Sequence, residues 1–428
     1  MRNRPRRGVN QKISSTPSDL YQSTSRKHRP DYWILILGLL LLTIGLILVY
    51  SISPGLAASQ RVSQQYFITK QLIDVGLGLG AFIVASFLPA SWWWRMAKPL
   101  AIAAIIASIA VMLMPTDVLH PAHRWIRVGS FSFQVVELIK LALLVWVARF
   151  LTIAWRQNQL TDSKKTLQPL LLVTIGAGVA VAAFQSDLGS AAVVVAMVSL
   201  MAFMVGIPLR KIAIIAALIA VLVSLAVVSS PYRRERLATF FNPQAVCEDA
   251  GYQACQALVS VGSGGLFGLG LGHSVQAYGY LPEAGNDSIF AIYAEKFGFI
   301  GSVLLLSLYA GLITRLKKVI THTADQFHRL LVVGVMAWLS MQIIINIGAM
   351  LGLLPLKGIT LPYVSQGGTS LIFLTAALGI VFQISRYTNY SKTEPARIAS
   401  EDQKNNDSAS GRGIGRSHNP VTFTRPRT

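Results

Sequence analysis

Between about residue 33 and residue 387 the chain alternates apolar runs near 20 residues long with short polar breaks. As α-helices, runs of that length cross a hydrocarbon core of about 30 Å. The runs are continuous and lack the in–out alternation of lipid-facing strands, which excludes a β-barrel. The pattern predicts an all-α polytopic membrane protein. Ten spans are expected, near 33–53, 69–90, 98–115, 135–153, 168–185, 188–206, 211–230, 287–314, 329–352 and 367–387. The shallowest break is "FQSDLGSAAVVV", between the fifth and sixth. The longest, 231–286, is Gly-rich with semi-polar helical stretches, as in a structured lid or re-entrant element rather than a linker.

Composition agrees: 53% of residues are hydrophobic, 13% are charged, and mean hydropathy is +0.53. Charge adds orientation. The net +20 is uneven, with eight Lys/Arg in residues 1–32 and eight in 386–428. These polar segments read as disordered tails, 1–32 and 388–428, around a transmembrane domain at 33–387. Basic tails on a membrane protein point to cytoplasmic ends touching anionic lipid, not to nucleic acid. About thirty polar residues precede the first span, so no cleavable signal peptide is expected. Ten spans place both tails on the side of the short Lys/Arg-bearing loops, which leaves 231–286 outside. Cys247 and Cys255 both fall in that loop, where an oxidising compartment permits a disulfide.

Candidate chemistry gathers in four outward stretches. In "HRWIRVGSFSFQVVELIKLALL", Arg124 and Arg127 could hold a phosphate or meet lipid headgroups. Glu137 and Lys140 lie on one helix face and can pair, for packing or for chemistry. In "FQSDLGSAA", Asp187 can cap a helix or orient an arginine. The glycines of "VGSGGLFGLGLGHS", Gly264 and Gly265 among them, let backbone N–H groups approach a ligand, although no Walker ending follows. In "YLPEAGNDSIFA", Asp287 opens the eighth span and suits either a general base or an N-cap, with Glu283 four residues earlier. "LPLKGITLPYVSQGGTS" adds Ser365, Gly367 and Gly368 near the same surface.

Taken together and in this order, with "QIIINIGAMLGLLP" beside them, these motifs resemble the SEDS family of shape, elongation, division and sporulation proteins. The resemblance covers about residues 33–387. The long basic N-terminal tail is similar to the division branch more than to the elongation branch. The resemblance implies a peptidoglycan glycosyltransferase that polymerises lipid II on the outer face of the cytoplasmic membrane at the division septum. It implies a class B penicillin-binding protein as partner, with other division proteins possible at the tails. It also implies a divalent cation, Mg²⁺ or Mn²⁺, at the pyrophosphate leaving group. The family's catalytic Asp falls on Asp287. The substrate-binding set is then Arg124, Arg127, Gly264, Gly265, Glu283, Ser365, Gly367 and Gly368, supported by Trp125, Glu137, Lys140 and Asp187.

The sequence departs from the family pattern at Val135, Val136, Asn286, Ser288, Lys296 and Gln366. Two alternatives stand beside polymerisation: a lipid II flippase, and a catalytically weak scaffold for the partner.

Overall fold

The computed structural model describes residues 29–114, 124–128, 131–228, 234, 240–241, 247–249 and 251–388, with the backbone alone for a few, Arg127 among them. Residues 1–28 and 389–428, most of the two expected tails, lie outside the described residues, as does most of 229–250.

Helices dominate. First come α1 (Tyr32–Gln60), α2 (Gln65–Phe87) and α3 (Ala90–Met112). An antiparallel hairpin follows, β1 (Trp125–Val128) with β2 (Phe131–Gln134), registered Trp125 to Gln134 and Val128 to Phe131. It leads into α4 (Val135–Arg156). Next are α5 (Gln168–Val179), flanked by π-helical turns, then α6 (Leu188–Val205) and α7 (Leu209–Val228). The shorter α8 (Tyr252–Ser263) precedes α9 (Ile289–His322), α10 (Gln326–Met350) and α11 (Thr369–Ser385).

Eight helical stretches are long and apolar enough to cross a membrane among the described residues. Alongside them stand α7, with 20 residues, and the apolar α11, with 17. The chain is an all-α polytopic membrane protein. Its outer surface shows why: α3 exposes Ile102, Ile105, Ile106 and Ile109, a face that only lipid tails would cover.

Local chemistry sets the helix ends. Asp31 caps α1 by accepting the Trp33 N–H, Asp187 caps α6, and Asp325 caps α10 by accepting the His328 N–H. One helix departs from the expectation. The eighth span, expected near 287–314, is a 34-residue helix interrupted at Gly298, whose φ of 66° is not helical. Glycine tolerates that conformation, and a Cβ there would collide with the backbone of Leu266 and Gly268.

Close approach of small residues joins α2 to α11. A Cβ on Gly379 would lie 2.5 Å from Phe82 O, and one on Gly78 would lie 2.7 Å from Leu371 Cδ2. At the bundle end carrying the C-termini of α4 and α9, Arg156 faces Asp325 at 3.9 Å and Arg315 faces Asp31 at 3.8 Å. The opposite end gathers the N-termini of α2, α4, α6, α9 and α11. There Cys247 and Cys255 form a disulfide with Cα atoms 5.7 Å apart.

Two outcomes follow. Gly379→Leu should lower the melting temperature in detergent, since overpacking costs about 1–3 kcal/mol; wild-type melting would mean that α2 and α11 can part. Mass spectrometry of native membranes without reductant should recover the Cys247–Cys255 peptide pair as one species, and two alkylated thiols would contradict the bridge.

Candidate active site

Arg124 stands just before β1. Its carbonyl accepts the Val135 N–H at 3.3 Å, which closes the hairpin onto the start of α4. Its Nε donates to Gln185 O at 2.7 Å and its Nη2 to Ser186 O at 2.5 Å. Those carbonyls belong to the turn ahead of α6, where Ser186 adopts a left-handed φ of 52°. Asp187 holds that turn: Oδ1 accepts the Ser190 N–H at 2.9 Å and Oδ2 the Ser190 hydroxyl at 2.8 Å. A helix cap thus fixes the carbonyls that fix the arginine.

The remaining arm of Arg124 faces Asp287. A Cβ built on Gly358 would lie 3.6 Å from Arg124 Nη1 and 3.8 Å from Asp287 Oδ2, and, its chain neighbours aside, no other described residue comes within 4 Å of it. Guanidinium and carboxylate therefore border one small space, kept clear by a glycine. Asp287 is not the cap of α9. The N-cap position falls on Ser288, and no side chain caps the helix there.

The loop bearing Asp287 is held by its backbone. Glu283, with φ 53°, turns the chain, and its carbonyl accepts the N–H groups of Asn286 (2.9 Å) and Ser288 (3.2 Å). Buried Asn346, on α10, donates from Nδ2 to Asp287 O and Ile359 O, each at 2.7 Å. One amide thereby clamps the loop of Asp287 to the loop of Gly358. The Glu283 side chain is exposed and accepts from Asn286 Nδ2 at 2.5 Å.

Three of the residues expected to meet substrate make bonds or close contacts within the protein. Ser365 is buried, donates to Asn286 O at 2.6 Å and accepts the Leu361 N–H at 2.7 Å, so its hydroxyl is spent inside the protein. A Cβ on Gly264 would collide with Ala294 O, and the N–H groups of Gly265 and Gly268 end on Gly262 O and Gly264 O. Gly264 and Gly268 pack against the α9 backbone at its break. Glu295 and Lys296 secure it: Glu295 accepts the Val275 and Gln276 N–H groups at 2.9 and 3.2 Å, and Lys296 donates to Leu271 O at 2.7 Å.

Glu137 and Lys140 pair at 2.7 Å in the first turns of α4, with side chains 3% and 1% exposed. Lys140 Nζ also lies 5.1 Å from the Trp338 ring centroid. Trp125 holds its place in β1 opposite Gln134. Arg127 lies on β1 by its backbone, and its side chain is outside the described residues. Gly367 packs on Thr360 and Ser370. Half-buried Gly368, with φ 47°, faces Asp74. Burial raises the Tyr363 phenol above its ordinary value, and it donates to Leu374 O at 3.1 Å.

Sequence reasoning missed Asn346, Gln71 and Asp74. Their signal was available, since each is a polar residue well inside an apolar span, where such residues carry a role.

The cell cycle protein family of FtsW, RodA and SpoVE matches residues 32–390. The chain belongs to this family. Among members of the FtsW/RodA/SpoVE family, the stage V sporulation protein E of Bacillus subtilis is 36% identical over 86% of this chain and 100% of its own length. A probable peptidoglycan glycosyltransferase FtsW of Coxiella burnetii is 37% identical over 84% of this chain and 96% of its own. Among solved structures, one chain of a peptidoglycan synthase complex that coordinates polymerization and crosslinking superposes with a TM-score of 0.67 at 26% identity, covering 83% of this chain and 98% of that one. The rod shape determining protein RodA of Thermus thermophilus gives 0.59 at 25%, covering 84% and 98%.

The ion pair makes a prediction. Glu137→Ala leaves a buried ammonium unpaired and should cost about 3–5 kcal/mol. The double change Glu137→Met with Lys140→Met should recover much of that in a detergent melt. Equal melting of Glu137→Ala and wild type would remove the pair from the scaffold.

Proposed function

We propose that this protein is a peptidoglycan glycosyltransferase that polymerises lipid II at the outer face of the cytoplasmic membrane. The observation that carries this reading is the convergence of Asp287 and Arg124 on the space beside Gly358, in a chain of this family.

Asp287 takes the proton of the attacking sugar hydroxyl. The freed oxygen lone pair forms the glycosidic bond to the anomeric carbon of the donor. The bond from that carbon to pyrophosphate breaks, and the lipid pyrophosphate leaves with the electron pair. Arg124, anchored through Nε and Nη2, turns Nη1 toward this space and faces the developing negative charge. The anchoring keeps reorganisation small as the charge grows.

Among the described residues, no cluster of three or more His, Cys, Asp or Glu could cage a metal ion. A cation shared with substrate phosphates needs only one or two protein carboxylates, which the turn of Glu283 and Asp287 can offer. Mg²⁺ or Mn²⁺ bound there would neutralise the leaving pyrophosphate.

The chain crosses the membrane ten times with both termini cytoplasmic. The disulfide supports this orientation, since such bonds persist outside the reducing cytoplasm. A class B penicillin-binding protein at the septum is the partner, a reading supported by the match to a synthase complex. The distribution of polar groups favours surface chemistry over lipid II transport. The deeper charges Glu137, Lys140, Glu295 and Lys296 are bonded within the protein rather than lining a path.

The test is polymerisation of labelled lipid II with Mg²⁺, with and without the class B partner, read as glycan length on a gel. Asp287→Asn should lower the rate by about 10²-fold or more, as expected for loss of a general base. Expression, melting and partner binding should stay near wild type, because Asn keeps the shape of Asp and the loop's backbone bonds to Asn346 and Glu283 are untouched. A variant retaining more than about a tenth of the wild-type rate would move the base elsewhere, first to Glu283.

A further inference from the structure

α2 carries a polar face that neither the caps nor the candidate active site uses. Gln71 is 0% exposed and Asp74 is 7% exposed. Three residues apart, they share one side of the helix. Neither amide atom of Gln71 has a hydrogen-bond partner among the described residues, nor has Asp74 Oδ2. Asp74 Oδ2 faces Gly368, at the N-terminus of α11. A Cβ built on Gly368 would lie 3.9 Å from it and, its chain neighbours aside, within 4 Å of no other described residue. Gly368 is itself half-buried, so Asp74 lies just beneath the surface that this loop forms.

The space adjoins the candidate active site. A Cβ built on Gly367 would lie 3.5 Å from Thr360, two residues from the Gly358 beside which Arg124 and Asp287 meet. Gln366 ties the same loop to both sides: its N–H donates to Gly285 O at 2.8 Å and its Nε2 to Phe67 O at 3.1 Å.

The chemistry of the face selects its ligand. A carboxylate oxygen accepts, and an amide both donates and accepts. That combination suits a neutral group with its own donors and acceptors. A metal ion fits poorly, because Asp74 is one carboxylate with Lys70 acting on it from one turn away. We propose that Asp74 and Gln71 form a second polar subsite, opening beside Gly368, that binds a hydroxyl or acetamido group of the carbohydrate substrate. It rests on the glycosyltransferase reading and assigns these residues to sugar binding rather than to bond making.

The experiment measures initial polymerisation rates against lipid II concentration, using the full chain with its class B partner. Asp74→Leu and Gln71→Leu should each raise KM by about tenfold, the loss of one hydrogen bond to a charged or well-buried group, while kcat stays within about twofold. Asp74→Asn, which keeps an acceptor, should show a smaller rise. A merely structural role would instead lower melting and kcat without moving KM. Unchanged KM in folded, active Asp74→Leu and Gln71→Leu overturns the subsite. If the leucine variants fail to accumulate, Asp74→Asn and Gln71→Met carry the test, and an unchanged KM in both overturns it. If the wild type polymerises nothing, the glycosyltransferase reading falls first. Equilibrium binding of labelled lipid II to wild type and Asp74→Asn then decides the subsite separately, with weaker binding expected and equal binding overturning it.

Discussion

Backbone that leaves the helical path inside a membrane protein must find its hydrogen bonds within the protein. The candidate site is built from four such departures: the Gln185–Asp187 turn, the Glu283–Ser288 turn, the 357–368 loop and the glycine stretch over the α9 break. Each is closed by side chains reaching from neighbouring elements. Arg124 satisfies the first, Asn346 and Ser365 join the second to the third, and Glu295 with Lys296 secures the fourth. The geometry of Asp287 follows from this accounting. Its backbone carbonyl accepts from Asn346, and its carboxylate lies with Arg124 beside Gly358.

This arrangement explains why so many polar residues near the site are not themselves chemical. A buried amide such as Asn346, 1% exposed, bonds two carbonyls at once and sets the spacing of two loops. Asp187 acts one step further away, through the turn whose carbonyls grip Arg124. Positioning of this kind matters to transition-state stabilisation, which depends on charges that are already in place when the reaction begins.

The spans were legible in the sequence because burial in lipid demands long apolar runs, and no other constraint produces them. The Asp187 cap and the Glu137–Lys140 pair could be read because both are local, depending only on spacings of three residues along one helix. Weak local patterns and contacts with distant chain could not be read. The 125–134 hairpin is short and its two strands pair only with each other, so its pattern was lost in an outer loop. The glycines at 264–270 suggested ligand contact, yet the residues that approach them, 294–298, arrive from another helix. Asp74 looked like part of a span until α11 brought Gly368 against it.

The departures from the family pattern can be weighed by the same accounting. Lys296 donates to Leu271 O, and Gln366 reaches Phe67 O. Ser288 donates to Pro282 O at 2.9 Å and accepts from Gln253 Nε2 at 3.1 Å. Val135 and Val136 are buried in an apolar cluster with Ile139 and Ala142. Every departure therefore sits in the supporting shell and has a partner or a packed environment within this chain. None replaces Asp287, Arg124 or the glycine between them. Changes confined to the supports, each bonded or packed within this chain, leave Asp287 and Arg124 bordering the space beside Gly358.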